Sequence, residues 1–155
     1  MNKKYEPLDI SGDVGLRAFG KTLDEVFINA AEGMYSLITN TGLIEEKKII
    51  EITVESSSLE GLLISWLNEL IFHFDTYGFI GKRIEITEAT PSLTLPPRGG
   101  GMGVGAFFTL KAKICGEVFD STRHESKLLI KAATYHRLRI EKINDTYEAE
   151  IIFDI

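Results

Sequence analysis

The apolar positions of the chain fall into two helical stripes and several two-residue alternations, and together they lay out most of a fold. Leu23, Val26, Phe27, Ala30, Ala31, Met34, Leu37 and Ile38 recur at spacings of three and four, the signature of one helix face. Thr22 with Glu25 supplies a capping box at its start, and Asn40-Thr41-Gly42 a stop. A second stripe (Leu59, Leu62, Leu63, Trp66, Leu67, Leu70, Ile71, Phe74) follows a capping box at Ser57 and Glu60 and ends at Tyr77, before Gly78. Ile64 and Phe72 lie off this stripe and predict that a second face is covered too. Alternation predicts strands near residues 5–9 and 14–19, around Ile50, Ile52 and Val54, and at 82–88, 106–118, 137–143 and 147–155. Residues 127–135 fit either a strand or a short helix. Helices early and strands late predict an α+β fold, with two amphipathic helices packed on a largely antiparallel β-sheet.

Composition narrows the class. A chain of 155 residues is expected to form a single domain over 1–155 and to bury about 68–70% of its unfolded surface. Cys115 is the sole cysteine, which excludes an intramolecular disulfide or a thiolate cluster and fits a reducing cytoplasm. No run of about 18 apolar residues occurs, so neither a membrane span nor a secretory signal is expected. The net charge of −6 argues against strong direct nucleic-acid binding. Arg123, Lys127, Lys131, Arg137 and Arg139 thicken the charge locally and read as a solvated face. The Pro/Gly-rich segment at 90–105 lacks a Gly-Lys-Ser/Thr sequence leading into a helix, so it reads as a long loop between strands and not as a phosphate cradle.

The closing strand carries the most chemistry. Tyr147, Ala149, Ile151, Phe153 and Ile155 share its apolar face, and Glu148, Glu150 and Asp154 the other. A strand tied into a sheet to its last residue would hold the Ile155 carboxylate beside Asp154, and two such negative groups repel unless a cation sits between them. Asp9 and Asp13 flank a tight turn through Ser11 and Gly12 and offer further oxygens of the kind hard cations take. No EF-hand loop or zinc-ligand spacing occurs. His73, on the flank of the second helix, reads as structural, whereas His124 and His136 lie in polar stretches that keep them in view. Cys115 reads as a structural thiol. No catalytic triad or dyad is discernible, and no catalytic residue is assigned.

Five segments, in order, resemble the archease family. Asp9-Ile10-Ser11-Gly12-Asp13-Val14-Gly15 resembles its Asp-His-Thr-Ala-Asp-Val-Gly block, and Trp66-Leu67-Asn68-Glu69-Leu70 its second helix. Arg123-His124-Glu125 with Lys127, then Lys131-Ala132-Ala133-Thr134-Tyr135-His136, resembles its central block, and Phe153-Asp154-Ile155 its terminus. Ile10 stands where the family usually has His, and the Pro/Gly-rich loop looks longer than the family's connection. The resemblance implies a divalent-cation site at Asp13, Asp154 and the main chain of Ile155, with Ca²⁺ first and Mg²⁺ or Mn²⁺ as alternatives. Asp9, Arg123, His124, Glu125, Lys127, Lys131, Tyr135 and His136 become candidates for partner contact or support. It further implies a non-catalytic protein cofactor of the GTP-dependent tRNA-splicing RNA ligase, promoting its guanylylation and multiple turnover. Two readings compete with this: a small metal-dependent phosphoester hydrolase with His124 or His136 as base, and a binding module whose cation is purely structural.

Overall fold

Two antiparallel sheets, not one, take up the alternating segments. The computed structural model describes residues 3–10, 12–90 and 107–155; Ser11, the expected loop from residue 91 onward and the predicted strand start at Ala106 lie outside these. Strands β1 (Tyr5–Ile10), β2 (Asp13–Gly20), β6 (Ala132–Ile143) and β7 (Thr146–Asp154) form one sheet in the order β1-β2-β7-β6. Strands β3 (Lys48–Ser56), β4 (Phe79–Thr90) and β5 (Phe108–Val118) form the other, ordered β3-β5-β4. Helices α1 (Leu23–Ile38) and α2 (Leu59–Tyr77) supply the remaining layer of this α+β fold.

Both apolar stripes are buried, with Phe27, Met34, Leu62, Trp66 and Leu70 fully enclosed. The Trp66 indole N–H donates to the Phe27 carbonyl at 3.0 Å, so the one polar atom of a large buried ring is satisfied while tying α2 to α1. Among the described residues no helix is long and apolar enough to cross a membrane.

The helix ends follow the expected signals with one correction. Thr22 accepts the Glu25 N–H at 3.2 Å, and the Glu25 carboxylate reaches back to the Lys21 N–H at 2.5 Å. On α2 the cap is Ser58, not Ser57: its hydroxyl oxygen accepts the Gly61 N–H at 2.9 Å. Gly61 is small for a reason, since a Cβ there would lie 2.3 Å from the Ser56 hydroxyl. Gly78 closes α2 in the left-handed region, φ 70°, and β4 starts at the next residue.

The ambiguous stretch at 127–135 resolves into irregular chain followed by β6, which begins at Ala132. β6 then departs from its partner: Thr134 faces Ile152 and Arg139 faces Glu150, so the intervening residues bulge outward around Arg137, whose φ is 55°. Of the two residues off the α2 stripe, Ile64 is buried but Phe72 is 49% exposed, so the second face is only half closed. His73 lies 3.4 Å from Glu69 on the same helix and against the rings of Phe72 and Tyr77.

Candidate functional site

The closing strand is held on both sides along nearly its whole length. β7 pairs with β2 from Val14 opposite Phe153 to Gly20 opposite Tyr147, and with β6 from Ala132 opposite Asp154. The Asp154 carbonyl accepts the Lys131 N–H at 2.8 Å, which ties the end of the chain one residue before its terminus.

Residues directly opposed across antiparallel strands share a face. The β2–β7 register ends at the Val14–Phe153 pair; continued by one step it would bring Asp13 opposite Asp154, and Ile10 faces Asp13 from β1. By strand alternation both carboxylates belong to the outer face of this sheet, and both are exposed. Asp9 does not join them. It is exposed as well, but it pairs with Val14 and so belongs to the opposite face. The turn expected to present Asp9 and Asp13 together is shorter than predicted, because β1 continues to Ile10 and β2 begins at Asp13.

The same outer face explains its own charge pattern. Arg17 bridges Glu6 at 3.0 Å and Glu150 at 2.7 Å, and Arg139 reaches Glu148 at 2.6 Å as well as Glu141. The Arg17 guanidinium holds the Glu150 carboxyl below its ordinary range. Ile152 lies on this face too, yet is only 3% exposed. Gly15 opposite it makes the room: a Cβ there would stand 2.9 Å from the Ile152 side chain and 3.2 Å from that of Leu8. The two arginines thus offset part of the acidic charge in the middle of the sheet. Among the described residues neither Asp13 nor Asp154 has a salt-bridge partner.

Most of the remaining candidates ride on the irregular segment between β5 and β6, pinned at three points. At its start, Glu117 is buried and receives the Arg123 guanidinium, the Glu45 N–H at 2.6 Å and the His124 ring at 3.1 Å. Arg123 first, with the Glu45 amide and His124 behind it, holds the Glu117 carboxyl down at about 2. Midway, the Lys127 and Leu128 N–H groups donate to the carbonyls of Ile38 and Leu37 at 2.9 and 3.1 Å, satisfying acceptors left open at the C-terminus of α1. At its end comes the Lys131–Asp154 bond.

His124 supports the fold and does not face outward. Its residue is 3% exposed. Nδ1 accepts the Asp120 N–H at 2.8 Å, which leaves the proton on Nε2 to donate to Glu117. With both nitrogens engaged and buried, it has no free lone pair with which to act as a base. Arg123, Glu125, Lys127, Lys131, Tyr135 and His136 are exposed, and the last two lie in the β6 bulge.

Two residues escaped the sequence reading. Glu117 has a composition signal only in retrospect, as an acidic residue ending a strand otherwise rich in buried positions. Asn68 sits beside the α2 stripe and bonds the Ala133 main chain twice, at 3.2 Å to its carbonyl and 2.8 Å from its N–H. It thereby caps the outer edge of β6 next to the pair with Phe153.

The chain matches the model of the Archease protein family over residues 5–155. It belongs to the archease family. The protein archease of Thermococcus kodakarensis is 36% identical over 147 residues, covering 92% of each chain. That of Sulfurisphaera tokodaii is 29% identical over 153 residues, covering 99% of each. The solution structure of Methanobacterium thermoautotrophicum protein 1598 superposes with a TM-score of 0.75 at 28% identity, covering 98% of this chain and 99% of that one. A Thermotoga maritima crystal structure, described as an archease and possible chaperone, shares the fold with a TM-score of 0.59 at 18% identity, covering 97% of this chain and 96% of that one.

A cation at Asp13 and Asp154 would meet oxygen donors only. Among the described residues no three His, Cys, Asp or Glu side chains gather as a metal-binding group, so any ion held there must draw on main-chain oxygen as well as on Asp13 and Asp154. Carboxylate and main-chain oxygens without nitrogen or sulfur favour Ca²⁺, Mg²⁺ or Mn²⁺ over zinc.

Proposed function

We propose that this archease is a non-catalytic cofactor of the tRNA-splicing RNA ligase in the cytoplasm, acting through a divalent cation held by Asp13, Asp154 and the main chain of Ile155. The observation that supports the reading is the β2–β7 register, whose last pair, Val14–Phe153, is followed on each strand by an exposed carboxylate, Asp13 and Asp154, with the Asp154 carbonyl tied to Lys131. Like charges in that position destabilise a sheet, and a bound cation turns the cost into a gain. Ca²⁺ is the first candidate, with Mg²⁺ and Mn²⁺ behind it, and such an ion would supply positive charge at the edge of a partner's nucleotide site. The irregular segment supports the docking role, since its main chain is tied at Lys127, Leu128 and Lys131 while Lys131 and, in the neighbouring bulge, Tyr135 (64% exposed) face solvent; the Lys127 ammonium donates to the Ser36 carbonyl at 3.2 Å.

The test is covalent GMP transfer to the ligase from the same organism, followed with and without this protein. Wild-type protein is expected to raise the rate and the number of turnovers, and Asp13→Ala and Asp154→Ala to lose most of that stimulation while still folding. Full stimulation by both variants would remove the cation from the function. Stimulation kept alongside a loss of thermal stability would show that the ion only braces the fold.

A further inference from the structure

The strand pair that carries the acidic terminus ends, at its other extremity, in a basic cleft. Phe19 and Gly20 close β2 at the end away from Asp13, and Thr146 opens β7 at the end away from Asp154, about 25 Å off at the usual rise of a strand. Around them, with Ile28 and Asn29 of α1, lies a cleft of about 690 Å³ ringed by Lys3, Lys4 and Lys21 and by one carboxylate, Glu25. A volume of this size suits a small-molecule ligand.

The charges in this cleft are available. Lys21 has no ion-pair partner among the described residues. Lys3 pairs with Glu6 at 3.2 Å and Lys4 with Glu32 at 3.3 Å, but the lysines are 71% and 64% exposed, where such pairs contribute little. Glu6 keeps Arg17 as a partner if Lys3 turns away. Glu25 is committed to the Lys21 main-chain N–H, which directs that carboxylate to the backbone. The walls are apolar: Phe19 and Ile28 are half-buried and line the space. Phe19 is further steadied by its main chain, which receives the Asn29 side-chain N–H at 2.7 Å and donates to Lys4 at 2.9 Å.

We infer that this cleft binds a nucleoside polyphosphate, with the lysines on the phosphates and Phe19 against the base. Lysine ammonium groups act as point charges suited to phosphate oxygens, and an aromatic wall suits a base of any identity. The pairing of the two chemistries excludes a purely apolar ligand and gives a bare phosphate no use for the ring.

Calorimetric titration of the full chain, in EDTA so that no cation bridges ligand and protein elsewhere, tests this with ATP, tripolyphosphate and adenosine as separate probes. ATP is expected to saturate below about 1 mM, tripolyphosphate more weakly, and adenosine not at all. The double variant Lys3→Gln/Lys21→Gln, whose exposed side chains leave folding intact, should weaken ATP about tenfold, the scale of one charge-assisted hydrogen bond. Phe19→Leu should weaken ATP and leave tripolyphosphate unchanged. No saturation by ATP, or equal affinity in the lysine variant, overturns the site. Tripolyphosphate binding as tightly as ATP, with Phe19→Leu indifferent, overturns the assignment of a nucleoside.

Discussion

Glu117 is 3% exposed yet carries its charge, because Arg123, the Glu45 amide and the His124 ring converge on its two oxygens. Held at about 2 in the fold against an ordinary value of 4.5, it binds fewer protons folded than unfolded between those values. Its stabilisation is therefore complete above about 4.5 and is lost as pH falls toward 2. Glu117→Gln should melt below the wild type at pH 7, with the gap narrowing through that acidic window; thermal melts across the series would show it, and a gap constant down to pH 2 would exclude linkage as the cause. The same residue marks where sequence reading stops. The outward face of Asp154 was legible because strand alternation is a local fact. Glu117 was not, because only the segment folding back from β5 shows that an acid there is buried among donors. Asp9 looked equivalent to Asp13 in sequence and is not, since a strand that runs one residue further turns its side chain to the other face.

At the scale of elements, β6 is an outer strand of its sheet, and Asn68 on α2 closes part of its exposed edge through two bonds to Ala133. Asn68→Ala leaves that N–H and carbonyl without partners, a loss of about 1–3 kcal/mol. Amide exchange should quicken most around Ala132–Thr134, beside Asp154, and uniform quickening across the chain would show a global effect instead. Gly15→Ala should cost about 1–3 kcal/mol by overpacking, because its Cβ would stand 2.9 Å from Ile152 and 3.2 Å from the Ile151 carbonyl oxygen. Denaturant melts measure both. These elements were mostly legible: 3.6-residue stripes and capping residues placed α1 and α2, and alternation placed the strands. Their grouping into two sheets was not, since β2 pairs with β7 across most of the chain and β3 with β5 across α2 and β4. Periodicity reports which face of a strand is buried and says nothing about which strand lies beside it.

Over the whole molecule, β2 and β7 join an acidic extremity to a basic one, with the Arg17–Glu150 and Arg139–Glu148 pairs in the stretch between. This separation makes the cation proposal testable by a change of sign. Without divalent cation, Asp13 and Asp154 only repel, so Asp13→Asn should stabilise the fold by about 0.2–1 kcal/mol. With a cation at about 100 times its dissociation constant, the wild type should gain about 2.7 kcal/mol, and the variant, one charged donor short, much less. The melting curves of the two proteins should therefore exchange order between EDTA and Ca²⁺. Mg²⁺ and Mn²⁺ in parallel rank the ions by the size of the exchange. A wild type whose melting temperature ignores all three ions would leave the two carboxylates as an unrelieved repulsion, and the cofactor role would then have to rest on the exposed side chains between Arg123 and His136 alone.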